Sequence, residues 1–162
     1  MLLTVCVVSK ASTPFESLMK LPTFERATRV IKFYETLHVG KGNVIGYGHV
    51  IKDGESLKYG IDLNEQEADA LLRSDLATLI KMFSDSAPFD TLLAVLSYNV
   101  GCGRVLKSKL YKDIINGDTS HILEEYLTFS RYKGKTHSGL RRRRYLEFQL
   151  LAPYSVNKSI IL

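Results

Sequence analysis

Apolar side chains recur at helical spacing through Phe24, Ala27, Val30, Ile31 and Tyr34, with Pro22 and Thr23 as a start signal and Gly40 and Gly42 barring continuation. The pattern predicts an amphipathic helix that carries Glu35 at its end. Beyond it the period changes to two. The stretch Ile45-Gly-Tyr-Gly-His49, flanked by further glycines, reads as a twisted hairpin with Gly46 and Gly48 on one face and Ile45, Tyr47 and His49 on the other. Bare backbone on one face invites close approach by a neighbour or a ligand. Asn64 and Glu67 have the spacing of a capping box, and Ala68, Leu71, Leu72, Leu76, Leu79, Ile80 and Phe83 mark one face of a long helix. Residues 88–100 place Leu92, Leu93, Ala94, Val95, Leu96, Tyr98 and Val100 around almost the whole circumference, so this helix belongs in the middle of a core.

Three shorter helices are expected after it. Ser108 can cap one carrying Leu110, Ile114 and Ile115, which Asn116-Gly117 stops. Residues 118–120 can start the next, carrying Ile122, Leu123, Tyr126 and Leu127. The last begins near Ser138, runs through Arg141, Arg142, Arg143 and Arg144 to Leu151, and ends before Pro153. The fold class is therefore α+β, mainly α: a small hairpin lobe beside a helical lobe built on one buried helix.

Composition narrows the picture. The 162 residues, 45% of them apolar, suffice for one well-buried domain, placed at residues 23–152 between an N-terminal segment, 1–22, and a C-terminal tail, 153–162. A monomer is expected. Residues 1–12 hold a short apolar run followed by Ser9 and Ala11 at signal-peptidase spacing, without the basic leader of a full signal peptide. No stretch approaches the ~20 apolar residues that cross a bilayer. Cys6 and Cys102 form neither a disulfide framework nor a metal motif, and no cofactor is implied. The net charge of +5 suits an anionic partner, but nothing resembles a DNA-recognition helix or an aromatic stacking platform for nucleic acid. Arg141 to Arg144 occupy four successive helical positions about 100° apart, so at least one must face the core.

Glu35, Ile45-Gly-Tyr-Gly-His49, Glu67 to Asp75, Tyr98-Asn-Val-Gly101, Ser108-Lys-Leu, Asn116-Gly-Asp118 and Gly139-Leu-Arg-Arg-Arg-Arg-Tyr-Leu-Glu147 occur in the order seen in phage-type lysozymes, glycoside hydrolase family 24. The chain resembles that family over residues 24–151. The resemblance implies a lysozyme-like fold with a cleft between the lobes and, as substrate, the glycan strand of peptidoglycan. It implies Glu35 as catalytic acid, Tyr98 and Asn99 as the cleft-lining pair, Arg143 as the arginine that approaches the catalytic glutamate, and His49 as a residue that ties the hairpin by hydrogen bonds; Tyr47 and His49 are also expected among the substrate-binding residues. It also implies action at the cell envelope, after export or as a phage lysis protein.

A glutamate held between two lobes can keep a proton for the leaving oxygen while positive charge grows on the sugar. The competing reading of Glu35 is a helix-end carboxylate paired with Lys32. The chain also departs from the family pattern, which carries an Asp after the Glu and a Thr before the Gly-x-Gly-His stretch. No Asp lies between Glu35 and His49, and the Thr position is Val44. His38 is the nearest titratable residue that could activate water in their place. The alternative function is a glycan-binding module of the same fold that has lost catalysis.

Overall fold

The computed structural model describes residues 13–38, 42–57 and 62–157. Cys6, Ser9, Ala11, Gly40 and the end of the C-terminal tail lie outside those ranges. The first element, α1 (Pro14–Met19), was not expected from periodicity. It is nucleated by a reciprocal capping box between Thr13 and Glu16 and by proline in its first turn.

Helix α2 (Thr23–Glu35) buries Ala27, Thr28, Val30 and Ile31, the face the spacing predicts. It stops at Thr36, whose φ of +50° is an uncommon conformation for a β-branched residue and takes the chain out of the helix immediately after Glu35. The chain then meets the hairpin, where the His38 N–H donates to the Gly46 carbonyl at 2.8 Å.

The hairpin is shorter than its glycine pattern suggests. Strands β1 (Val44–Ile45) and β2 (His49–Val50) pair antiparallel, Val44 opposite Val50 and Ile45 opposite His49. Gly46, Tyr47 and Gly48 therefore form the connecting turn and not a strand with two faces. Both glycines take positive φ there, +57° and +103°, which explains why a turn wins over a continuous strand. Ile45, Tyr47 and His49 are all buried even so.

Helix α3 (Glu65–Met82) opens with the Asn64–Glu67 capping box and packs Ala68, Leu72 and Leu76 inward. Helix α4 (Asp90–Val100) is the centre of the molecule: residues 91–97 are all buried. Around it lie α5 (Cys102–Leu106), α6 (Lys109–Ile115), α7 (Ile122–Leu127) and α8 (Ser138–Leu151), and α9 (Tyr154–Asn157) follows. Ser108 caps α6, its hydroxyl accepting from the Tyr111 N–H.

Two details differ from expectation. Helix α7 starts later than residues 118–120, because the Asp118 carboxylate accepts from the Ser120 N–H and stabilises a local turn instead of a helix start. Between α7 and α8 a second hairpin appears, β3 (Arg131–Tyr132) with β4 (Lys135–Thr136), joined by Lys133 and Gly134 at φ of +49° and +77°. Two-residue strands carry no readable period.

Candidate active site

Glu35 is placed by three elements at once. As the last residue of α2 it is held by a helix, and its side chain, 20% exposed, lies where α2, the β1–β2 turn and the end of α4 meet. Gly48 makes that position open: a Cβ there would sit 3.4 Å from Tyr98 Cε1 and 3.8 Å from both Cγ and Oε2 of Glu35. Its φ of +103° further restricts the position to glycine. The Tyr98 hydroxyl donates to the Tyr47 carbonyl at 3.1 Å and so ties the turn to α4. Burial pushes the Tyr98 pKa up, with Asp75 and Glu35 adding to the shift, so this hydroxyl stays neutral.

Behind Glu35 lies a buried polar knot. Arg143 Nη2 is 2.7 Å from Glu35 Oε1, a charge contact without directed hydrogen-bond geometry, since that nitrogen has no acceptor along its N–H. Arg143 Nε donates to Glu147 Oε1 at 2.8 Å, and its guanidinium carbon lies 4.8 Å from the centre of the Tyr34 ring. Arg144 Nη1 donates to Glu147 Oε2 at 2.6 Å, and its Nη2 donates to Asn99 Oδ1. Asn99 Nδ2 points back to Glu35 Oε1 at 3.5 Å. The Tyr126 hydroxyl completes the set at 2.8 Å from Glu147 Oε2. Burial works against the Arg143 charge, but Glu147 and then Glu35 outweigh it and raise its pKa.

Of the expected residues, Glu35, Tyr98, Asn99 and Arg143 are brought together. Lys32 is not Glu35's partner; it pairs with Asp69 at 3.1 Å and Glu65 at 3.4 Å across the α2–α3 groove. Two of the expected substrate contacts are occupied by the protein itself. The Tyr47 ring is buried under the Lys32 ammonium, 4.8 Å from its centre, with its hydroxyl towards Glu65. His49 has both ring nitrogens engaged, Nδ1 with Asp75 Oδ2 at 2.7 Å and Nε2 with Glu55 Oε2 at 2.8 Å. No nitrogen is left for a ligand. Glu55 is thereby drawn into a clamp across the hairpin.

The His38 imidazole is exposed and makes no hydrogen bond or ion pair among the described residues, while its backbone is pinned to Gly46. Val44, at the expected Thr position, is half-buried in β1. Sequence reasoning did not single out Arg144, Tyr126 or Glu147 as partners in the site. Spacing held part of the signal: Glu147 stands four residues beyond Arg143 and three beyond Arg144, where helical side chains meet. A cavity of about 700 Å³ lies elsewhere, passing Phe33, Tyr47, Asp69 and Leu146 along α2, and Glu35 is not in its wall.

Known proteins resemble this chain in sequence and in fold. The phage lysozyme family model matches residues 31–147. The endolysin of Bacillus phage B103 is 30% identical over 123 residues, which cover 72% of this chain and 45% of that endolysin. The chain thus spans about half the length of that relative. Among solved structures, the endolysin from Escherichia coli O157:H7 phage FAHEc1 superposes with a TM-score of 0.62 at 22% identity, over 82% of this chain and 94% of that one. The muramidase domain of SpmX from Asticaccaulis excentricus gives 0.64, also at 22% identity, over 78% and 95%. At that level of identity the likeness concerns the fold.

Proposed function

Because the chain belongs to the phage lysozyme family, we propose that it cleaves the glycan strand of bacterial peptidoglycan as a muramidase-type glycoside hydrolase, with Glu35 as the acid. The observation that carries this reading is the placement of Glu35. Its carboxylate is held at the end of a helix, opens past a glycine on one side and is backed by Arg143 and Asn99 on the other. Protonated, it can deliver a proton to the glycosidic oxygen as the bond to the sugar lengthens, and general acid catalysis of this kind contributes roughly 10²–10⁴-fold.

The group that activates water is the second part of the proposal. His38, pinned by its backbone at the hairpin with its imidazole in solvent, takes that role in place of the missing Asp and Thr. Lysis then requires Glu35 protonated and His38 neutral, which makes a bell-shaped pH profile. Replacing His38 by Ala should remove most lysis at pH 6 to 7 without weakening wall binding. Wild-type specific activity in that variant would transfer the role to a water held by backbone groups, or to a transglycosylase-like reaction that needs none.

The setting proposed is the cell envelope, with the protein acting as a phage lysis factor. The exposed cations Arg131, Lys133, Lys135, Arg141 and Arg142 suit an acidic wall polymer. A second reading, a glycan-binding module without catalysis, is favoured by the absence of any carboxylate between Glu35 and Val44. One experiment separates the two: clearing of a wall suspension by wild type and by Glu35→Gln, beside a peptidoglycan pull-down. The hydrolase reading expects clearing that falls at least about 100-fold in the variant with binding retained. Binding without clearing in the wild type selects the module.

A further inference from the structure

Glu147 is a carboxylate with no solvent exposure, and nothing in the chemistry assigned above uses it. Burying a carboxylate is costly unless it is paired and hydrogen-bonded, and here three donors from two helices converge on it: Arg143 Nε, Arg144 Nη1 and the Tyr126 hydroxyl. Each of the two arginines has a second contact, and both contacts are with residues at the cleft. Arg143 reaches Glu35 Oε1, and Arg144 reaches Asn99 Oδ1, whose amide nitrogen in turn faces the same Glu35 oxygen. One buried anion therefore sets the direction of both groups that touch the proton-carrying carboxylate.

We propose that Glu147 is the positioning residue of this site, orienting Arg143 and Asn99 on Glu35 and counterbalancing the arginine charge so that Glu35 can hold its proton. The argument rests on the hydrolase reading only for what the proton does. With Glu35 protonated, the two arginines and Glu147 leave the knot one positive charge; without Glu147 they leave two. Among the described residues, the other groups against Glu35 carry no charge: Gly48 from the hairpin, and Tyr98 and Asn99 from α4, with the Tyr34 ring behind Arg143. The titratable groups nearby are His38, neutral in its working form, and Asp75, which acts on Tyr98 and is paired with His49. Among the described residues no carboxylate but Glu35 and Glu147 pairs with Arg143 or Arg144. Opposite charge close to a carboxyl favours its ionised form, so removing Glu147 disfavours the acid that the reaction needs.

The test compares Glu147→Gln and Glu147→Asp with the wild-type chain in two measurements: the pH profile of wall clearing per folded molecule, and the ¹³C NMR titration of the Glu35 carboxyl carbon. Gln keeps the shape and removes the charge. In that variant the alkaline limb of clearing and the Glu35 titration should both move down by about one pH unit, with clearing near pH 7 falling about tenfold. Asp keeps the charge and withdraws it from the arginines. It should leave the pH limb in place and lower the maximal rate. If Glu147→Gln does not fold, Glu147→Asp decides the matter, because a merely structural carboxylate would leave the clearing rate per folded molecule unchanged. Unmoved limbs and titrations, or wild-type rates in Glu147→Asp, overturn the proposal. A wild-type chain that clears no walls but whose Glu35 titration shifts in Glu147→Gln retains the positioning role and refutes the hydrolase reading alone.

Discussion

Helices α4 and α8 face each other in the interior and are buried by opposite chemistry. Over residues 92–96 helix α4 presents Leu92, Leu93, Ala94, Val95 and Leu96, each with no exposure, and asks nothing of its neighbours there but volume; its polar contacts come from Tyr98 and Asn99 at its end. Helix α8 presents Phe148, Leu150 and Leu151 at its end, but Arg143, Arg144 and Glu147 just before them. Apolar contact is non-directional, so the α4 side tolerates any packing of the right volume, whereas hydrogen-bonded charges hold only in one arrangement. The difference falls where the site needs it. The charged stretch of α8, Arg143 to Glu147, is the part that meets Glu35 and Asn99.

The comparison breaks first at Arg144. Replacing it by Ala leaves Glu147 buried with one fewer cation, and removing one partner of a buried pair costs about 3–5 kcal/mol. Urea unfolding should show that loss; a cost below about 1 kcal/mol would mean that water already enters the knot. The apolar side should break at Leu96→Ala by about 2–5 kcal/mol, the range for truncating a buried leucine. The same unfolding experiment should show that loss, while a wall-clearing assay should show lysis per folded molecule preserved. A loss of specific activity equal to that of the Arg144 variant would erase the distinction between the two helices.

The hairpin lobe sharpens the comparison through pH. Burial disfavours charge on His49, but its hydrogen bonds to Glu55 and Asp75, with their charges, outweigh it and raise its folded pKa above the ordinary 6.5. A raised folded pKa means that the folded state binds the proton more tightly. The stabilisation is thus complete below pH 6.5 and disappears as pH rises through the folded value. His49→Gln should therefore destabilise most near pH 6 and progressively less at pH 8 and above. A penalty that does not vary over that window would show that packing, not charge, holds the clamp. Smallest of all should be Arg141→Ala. This exposed arginine has no carboxylate partner among the described residues, and its removal should change stability by less than about 0.5 kcal/mol. Thermal melting of this variant beside the Arg144 one would show two residues of one arginine run at opposite ends of the scale.

Much of the fold was legible because its strongest signals are local. The capping box at Asn64 and Glu67, the apolar face of α3 and the all-round apolar pattern of α4 appear in the structure where periodicity puts them. The second hairpin did not, since strands of two residues are too short to show a period and Lys133-Gly134 is a weak turn signal. At the site, the helix-to-hairpin junction marks Glu35. Tyr47 and His49 share the same motif, yet their side chains are spent on Lys32, Asp75 and Glu55.

The sequence by itself determined the helices α2, α3, α4, α6 and α8, that α4 is central, and that one carboxylate stands where helix gives way to hairpin. Each of these follows from spacing within a few residues, because a side chain's face on a helix depends only on its own neighbours. It also required that some of the four consecutive arginines be buried. Only the tertiary structure decided that Arg144 is buried beside Arg143, that Glu147 receives both arginines and the Tyr126 hydroxyl, and that His49 is closed off by two carboxylates. Outside the helical contacts at Glu147 and the short link to Glu55, those pairings join residues 21 and 26 positions apart. Charge pairing is set by which elements are packed together and how much water they exclude, and no pattern along the chain carries that information.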